Sequence, residues 1–587
     1  MCGIAGIMTA NGQAPQRATL DALSRALAHR GPDGRGEHLA DGVGMIHTRL
    51  AIIDLQTGDQ PLHAPGGAAL IANGEIYNHV ELRAATHDVA FATGSDCEPA
   101  LQLYRQSGSR FTERLRGMYA IALHDPLAER LILSRDPFGI KPLYYTETGS
   151  ALAFASEPQA LIAAGLVQPK VAARARDELL QLQFTTGRET ILDGISRVLP
   201  GETLVVGKGR IVERRRQAAL PEGGPASWTE DEAMARLERA LLDSVMVHQR
   251  SDVPYGMFLS GGIDSSVILA AMARLNARPV RAFTIGFSGT RVADEREHAR
   301  RVARSVGADH TEVEFGEADF WSLLPRVAAA MDDPAADYAV LPTWKLGQIA
   351  ARELKVVLCG EGGDEMFAGY GRYRSAVRAW WLGGRAMRAK GIMDGLDLLR
   401  QPITGWRDGI VAAESTASGH GRTRLQVAQA VDIADWLPHD LLLKLDRCLM
   451  AHGVEGRTPL LDPAVAEVAL RLPDGLKLRD GRGKYLLRRW LARALPEAEP
   501  FARKRGFTVP VADWIAAGGA RLGPLVAAQP GIVEICRPKA VEALFRATGK
   551  HHAFAAWTLL FYALWHQHHI LGQSAEGDVF ATLAAKH

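Results

Sequence analysis

The spacing of apolar residues changes character once along the chain, between about residues 211 and 230, and that change constrains the fold more than any other feature. Before it the sequence is a succession of short apolar runs separated by turn signals: GIAGIM at 3–8, GMIHTRLAIID at 44–54, AALIANGEIYN at 68–78, MYAIALHD at 118–125 and RLILSRD at 130–136. Such runs predict antiparallel strands. Two helical stretches interrupt them, one carrying Leu20, Leu23 and Leu27 behind Thr19 as its cap, the other Ala100, Leu101, Leu103 and Tyr104. The segment IVERRRQAALPEGGPASWTED then replaces periodic apolar residues by Arg, Pro, Gly and Ser, as a linker does. Beyond it strands alternate with helices: MFLS before a glycine-rich loop and a helix beginning near Val267, RAFTIGF at 281–287, a helix with Ala299, Val302, Ala303 and Val306, and KVVLC at 355–359. This alternation predicts a parallel sheet with helices on both faces. A helical remainder runs from about 365 to 570, broken at 415–423 by a polar stretch that reads as an exposed loop. At 587 residues the chain exceeds what one core can hold. The expected organisation is one domain over 2–212, a linker over 213–228 and a second domain over 229–587.

Composition narrows the function classes. Hydrophobic residues make up 47% and charged residues 23%, a globular balance, and the formal net charge of +2 leaves no basic footprint for a phosphate backbone. Nucleic acid is not an expected partner. Five cysteines (Cys2, Cys97, Cys359, Cys448 and Cys536) without any CxxC spacing indicate neither a disulfide framework nor a zinc site. With no leader-like opening and no apolar run of about 18 residues, neither secretion nor a membrane is expected, and a reducing cytoplasm fits. A homodimer is compatible with the chain.

If Met1 is removed, Cys2 carries a thiol and a free α-amine on one residue. The amine titrates near pH 8 and the thiol near about 8.5 in model compounds, so the amine can take the thiol proton and the thiolate can attack an amide carbonyl. An oxyanion hole is then needed. Asn73 and Gly74 in ANGEIYN offer an amide side chain and an unhindered N–H after a strand. Arg49, Glu75 and Asp96 are residue types that would hold the α-carboxylate and α-ammonium of free glutamine.

The blocks MCGIAGI, HRGPDG (29–34), RLAIID, NGEIYNH, TGSDCE and RDPFGIKPLYY (135–145) occur in the order seen in glutamine amidotransferase domains of the N-terminal nucleophile hydrolase class. The chain resembles the asparagine synthetase branch of that class. The resemblance implies a sandwich of two antiparallel sheets between helices, Cys2 as nucleophile, and a glutamine pocket formed by Arg49, Leu50, Ala51, Ile52, Ile53, Asn73, Gly74, Glu75 and Asp96.

SGGIDSS at 260–266 follows the apolar MFL and precedes a helix. Its glycines admit backbone N–H groups to an anion, its serines add hydroxyl donors, and the helix N-terminus adds its positive end. No GxxxxGK[ST] occurs, which disfavours transfer of a terminal phosphoryl group. The loop resembles the pyrophosphate-binding motif of ATP pyrophosphatases, and CGEGGDEMFAGY at 359–370 also matches the asparagine synthetase family. The resemblance implies ATP binding by Leu259, Ser260, Gly261, Gly262, Asp264, Ser265, Ser266, Ile285, Gly286, Cys359 and Gly360. It further implies Mg2+ on Asp264 and Asp364, and Glu361 placed for acyl transfer. DRCLMAHGVEGRTPLLD (446–462) and GKYLLRR (483–489) extend it, with Lys484 as the cation for charge developing on phosphate. The chain departs from the family pattern at Gly456, where a larger residue is usual, and at Thr458, where an aliphatic one is. These departures are expected at the acceptor pocket. His566, His568 and His569 read as a helix-end cluster.

The implied activity is that of a carbon–nitrogen ligase: glutamine hydrolysis at Cys2, adenylation of a carboxylate by ATP, and passage of ammonia through an internal channel to the acyl-adenylate, with aspartate as first-choice acceptor. The alternative is the same chemistry on a sugar acid, a peptide or a cell-wall intermediate. An intramolecular cyclase like β-lactam synthetases or lasso-peptide cyclases fits less well, because Cys2 and its pocket are intact. A silent binding protein would have lost Cys2, Asp264 or Asp364.

Overall fold

The computed structural model describes residues 2–40, 42–86, 90–287, 295–419, 421–502 and 509–585. The strands are β1 Gly3–Thr9, β2 Gly34–Ala40, β3 Val43–Arg49, β4 Leu62–His63, β5 Ala69–Ile76, β6 Gly117–Asp125, β7 Arg130–Arg135, β8 Tyr144–Glu147, β9 Ala151–Ala155, β10 Ser196–Arg197, β11 Glu202–Gly207 and β12 Arg210–Arg216. Then follow β13 Tyr255–Phe258, β14 Arg281–Phe287, β15 Asp309–Phe315, β16 Val356–Leu358 and β17 Glu455–Arg457.

The first twelve strands form two antiparallel sheets, in the orders β10-β8-β9-β1-β3-β2 and β12-β11-β7-β6-β5-β4. Alternation along each strand sends every second residue to a different layer. Ile4, Met8 and Met45 of one sheet meet Ile71, Ala122 and Leu133 of the other between the sheets. On one outer face Ala5, Ile7 and Ile46 pack on Leu20 and Leu23 of the helix Arg17–Ala26 and on Leu27, which caps it. On the other, Leu70, Ala72 and Ile121 pack on Leu101 and Phe111. The expected sandwich of sheets between helices is present.

The last five strands form a parallel sheet in the order β15-β14-β13-β16-β17. In β16, Val357 joins one apolar cluster while Val356 and Leu358 join another, so both faces of this sheet are buried, as parallel sheets require. The helical remainder includes a 20-residue helix, Lys550–His569. Among the described residues no helix is long and apolar enough to cross a membrane.

Several local expectations shift. The first helix is capped by Gln16, whose extended backbone leaves its carbonyl to accept from Thr19 and Leu20, so Thr19 lies within the first turn. The helix expected near Val267 begins at Ile263, because the extended Gly262 serves as its cap and its carbonyl accepts from Ser266. Residues 213–216, read as linker, complete β12, an exposed edge strand whose charges discourage further pairing. Of the 415–423 stretch, Ser415 to Ala417 finish the helix Asp408–Ala417, and Thr423 caps the next one; His420 lies outside the described residues.

Buried ion pairs join the two halves. Arg30 donates to Glu157 at 2.7 Å and to Asp446 at 2.8 and 3.0 Å. Arg447 lies 3.7 Å from Glu157 across the contact and donates to Asp332 of its own half at 2.8 Å. Asp333, fully buried, accepts two bonds of 2.7 Å from Arg197 and one of 3.0 Å from the Tyr144 hydroxyl. Removing one partner of such a pair strands the other charge away from water, at a cost of about 3–5 kcal/mol. Asp333→Ala is therefore expected to lower the denaturant midpoint markedly, and Asp333→Asn to lose less; equal midpoints for all three proteins would show the pair to be dispensable.

Candidate active sites

Cys2 stands one residue before β1 and is buried. Its backbone nitrogen donates to Asn73 Oδ1 at 3.1 Å, across from the other sheet, and its carbonyl accepts from Arg30 Nε at 3.2 Å. Burial pushes the thiol up, against the opposing effects of the chain's α-ammonium and a hydrogen bond from the Leu50 backbone. Asn73 is fully buried, and its Nδ2 has no hydrogen-bond partner. A buried amide donor left unmatched is costly, so this group is suited to meet an acceptor oxygen. Gly74 is fixed by packing: a Cβ there would come within 2.1 Å of the Met118 carbonyl on β6.

Glu75 and Asp96 lie together beside this point. Burial raises both carboxyls, and at Glu75 the Asp96 charge adds to the rise. Such a pair suits a cationic ligand group. Glu75 also meets Arg457 Nη2 of the parallel-sheet half at 3.1 Å, and Asp96 accepts from the Ile76 N–H at 2.7 Å. Arg49 is engaged: it donates to Asp59 at 2.7 Å and to the carbonyls of Ile53 and Asp54, folding the 50–58 loop against β3. Leu50 and Ile52 are buried in that loop, and Ala51 N–H donates to Asp33.

The second site is a cavity of about 300 Å³ at the C-terminal ends of β13 and β16. Its wall includes Leu259, Ser260, Gly262, Asp264, Ser265, Ile285, Cys359, Gly360, Glu361 and Asp364 from the sequence expectations. Gly261 turns the loop at a φ of +68°, a conformation that favours glycine. Ser260 and Ser265 hydroxyls lie 3.1 Å apart, and Ser266, with a buried hydroxyl lacking a partner, lies in the first helical turn. Gly286 is set off from the wall; a Cβ there would strike Arg296.

Lys484 Nζ bridges Asp264 at 2.5 Å and Asp364 at 2.8 Å. Burial opposes its charge, and the two carboxylates more than restore it. Glycines make this closeness possible, since a Cβ at Gly369 would lie 1.8 Å from Asp364 Oδ1. Burial also raises Glu361, and it takes Glu365 to about 7 with help from Asp364.

Gly456 and Thr458 are not among the residues lining this cavity. Gly456 is in β17, where a Cβ would press on Leu445 and Leu449 at 3.0 Å, and its carbonyl accepts from Lys141 of the other half. Thr458 is buried with an unpartnered hydroxyl. Sequence reasoning assigned no role to Arg30, Arg457 or Lys444. Arg30 sat in the HRGPDG block and Arg457 in VEGR, but the partners that reveal them are distant in sequence.

A cysteine facing a buried asparagine amide across a two-sheet sandwich, joined to a parallel sheet with a serine- and glycine-rich loop, defines a glutamine-dependent amidotransferase ligase; the profile of the glutamine amidotransferase domain matches residues 1–216. The chain belongs to the asparagine synthase family, whose profile matches residues 236–567. A Mycobacterium tuberculosis protein named provisionally as a glutamine-hydrolyzing asparagine synthetase is 33% identical, over 98% of this chain and 99% of its own length. Asparagine synthetase (glutamine-hydrolyzing) 1 of Bacillus subtilis is 32% identical over 88% of each chain. Amidase chyE of Penicillium rubens is 30% identical over 83% of this chain and 86% of its own.

The orphan amide generates a test. Asn73→Ala is expected to slow glutamine hydrolysis about 10²–10³-fold, chiefly in kcat, as loss of one oxyanion donor does. Glutamate release measures it, and an unchanged kcat would remove Asn73 from the oxyanion site.

Proposed function

We propose that the protein is a glutamine-dependent asparagine synthetase, converting ATP, aspartate, glutamine and water to AMP, pyrophosphate, asparagine and glutamate. The observation that carries the reading is the Asp264–Lys484–Asp364 cluster beside Glu361 at the serine-rich loop, in a chain that also sets Cys2 on Asn73.

In the first half-reaction Cys2, with Met1 removed, gives its thiol proton to its own α-amine, which Asn73 Oδ1 orients. The thiolate attacks the side-chain amide of glutamine. Asn73 Nδ2 and the Gly74 N–H take the developing oxyanion, Glu75 and Asp96 hold the α-ammonium, and Arg49 holds the α-carboxylate by displacing Asp59. Ammonia leaves, and water releases glutamate from the thioester. In the second half-reaction the acceptor carboxylate attacks the α-phosphorus of ATP on the loop from Ser260 to Ser266. Pyrophosphate departs, Lys484 offsetting its charge. Ammonia then displaces AMP from the acyl-adenylate, with Glu361 placed to take a proton.

Asp264 and Asp364 fit Mg2+. Their oxygens are the hard donors this ion takes, and among the described residues no larger His, Cys, Asp and Glu cluster forms a dedicated cage. Two carboxylates plus phosphate oxygens are its usual complement at such sites. When bound, the ion supplies charge neutralisation to the phosphates. Asp264→Asn or Asp364→Asn is expected to suppress pyrophosphate release at least about 100-fold, the equivalent of several kcal/mol, with glutamine hydrolysis retained. Wild-type pyrophosphate release in either variant would take that residue out of the role.

The likeness to amidase chyE favours a second reading, in which the same machinery amidates another carboxylate. Glutamine labelled with ¹⁵N in the amide separates the two. Label is expected in asparagine, aspartate should raise AMP formation well above the acceptor-free rate, and Cys2→Ala should lose the glutamine-dependent product while keeping the ammonia-dependent one. If aspartate leaves AMP formation unchanged, the acceptor is another acid.

A further inference from the structure

We propose that Lys444 determines acceptor specificity by receiving a second anionic group of the acceptor, so that acids carrying two anionic groups are preferred over those carrying the reacting carboxylate alone. The inference rests on the adenylation reading above, and not on the acceptor being aspartate.

Lys444 lies in the helix Leu442–Met450 and is buried, yet it lines the cavity. Among the described residues in the wall it is the sole cation, facing four carboxylates: Asp264, Glu361, Asp364 and Glu365. An anionic acceptor entering that wall needs a positive group. Lys484 is already shared by Asp264 and Asp364, which the reading above assigns to the phosphates.

The two lysines have different carboxylate partners. Lys484 is surrounded by Asp264 and Asp364, whereas Lys444 is surrounded by Asp337, Glu361 and Asp440. Glu361 lines the same cavity as Lys444 and Asp264, and the Lys444 charge favours its ionised form while the Asp264 charge opposes it. With phosphates at Asp264 and the reacting carbonyl at Glu361, Lys444 is the wall cation left for the rest of the acceptor. Uncharged Ala339, Thr343, Leu441 and Leu445 also line the cavity.

Lys444 also stays charged. Burial alone would lower it, and Asp337 at 3.0 Å, with Glu361 and Asp440, raises it instead. Asp337 takes one of the three N–H donors of the ammonium, which leaves capacity for a ligand anion on the cavity side.

The test offers acids in pairs, with and without the second anion, for instance aspartate and its α-amide, or glutarate and its monoamide. AMP formation is followed with ammonia as nitrogen donor. The wild type is expected to favour the dianion at least 10-fold in kcat/KM, mainly through KM; Lys444→Met should abolish the preference and Lys444→Arg restore most of it. A lysine that merely balanced Asp337 would leave the preference untouched. If the wild type uses the monoanion as well as the dianion, or if folded Lys444→Met keeps the preference, the proposal falls. The wild-type comparison decides even where Lys444→Met fails to fold. Should aspartate be inert while another dianion reacts and loses its advantage in Lys444→Met, the proposal stands and aspartate is replaced as acceptor.

Discussion

Guanidinium groups buried at the contact between the two halves are the constraint on which the rest depends. Arg30 is fully buried between Glu157 of its own half and Asp446 of the other, Arg447 runs from Asp446 to Asp332, and Arg197 clasps Asp333. Against well-packed apolar side chains such pairs add little net stability, because each ion is desolvated. They are unforgiving of misplacement, however, since a small slide leaves a buried charge alone. The planar fork of arginine sharpens this, as two parallel bonds fix both distance and orientation.

The same contact reaches both sites. Arg30 Nε holds the carbonyl of Cys2, so the nucleophile's backbone is tied to the residue that grips Asp446. Arg457 pairs with Glu75 through its side chain, while its backbone carbonyl accepts the Cys359 N–H at 2.8 Å, two residues before Glu361. One residue of β17 thus touches the carboxylate pair near Cys2 and the strand end that leads into the cavity wall.

Much of this was legible in the sequence, where the controlling signal is local. Apolar alternation located β1, β5, β6, β7 and β14 to within two residues, because a strand's faces are written in period two. SGGIDSS announced an anion loop through its own composition. What escaped depended on distant partners. Arg30 has its partners 127 and 416 residues away, and no local pattern could mark it. Lys444, set among leucines in LLLKLD, looks like a surface lysine with a buried stem until Asp337 and Glu361 are brought around it. Gly456 and Thr458 stand within a synthetase-like segment, yet sequence alone did not tell which residues around β17 line the cavity. The helix start at Ile263 was displaced for a smaller reason: a glycine with extended backbone can cap a helix without announcing itself by a side-chain oxygen.

The distribution of these ion pairs also limits how such chains can be recombined. A hybrid taking residues 1–216 from one family member and the remainder from another would inherit Asp446 and Asp333 from one parent and the arginines that neutralise them from the other. Unless both parents use the same charges at the same heights along the contact, each mismatch buries an ion without its counterion. The two halves therefore behave as a matched lock, and exchange between lineages is confined to partners cut to the same pattern of charge.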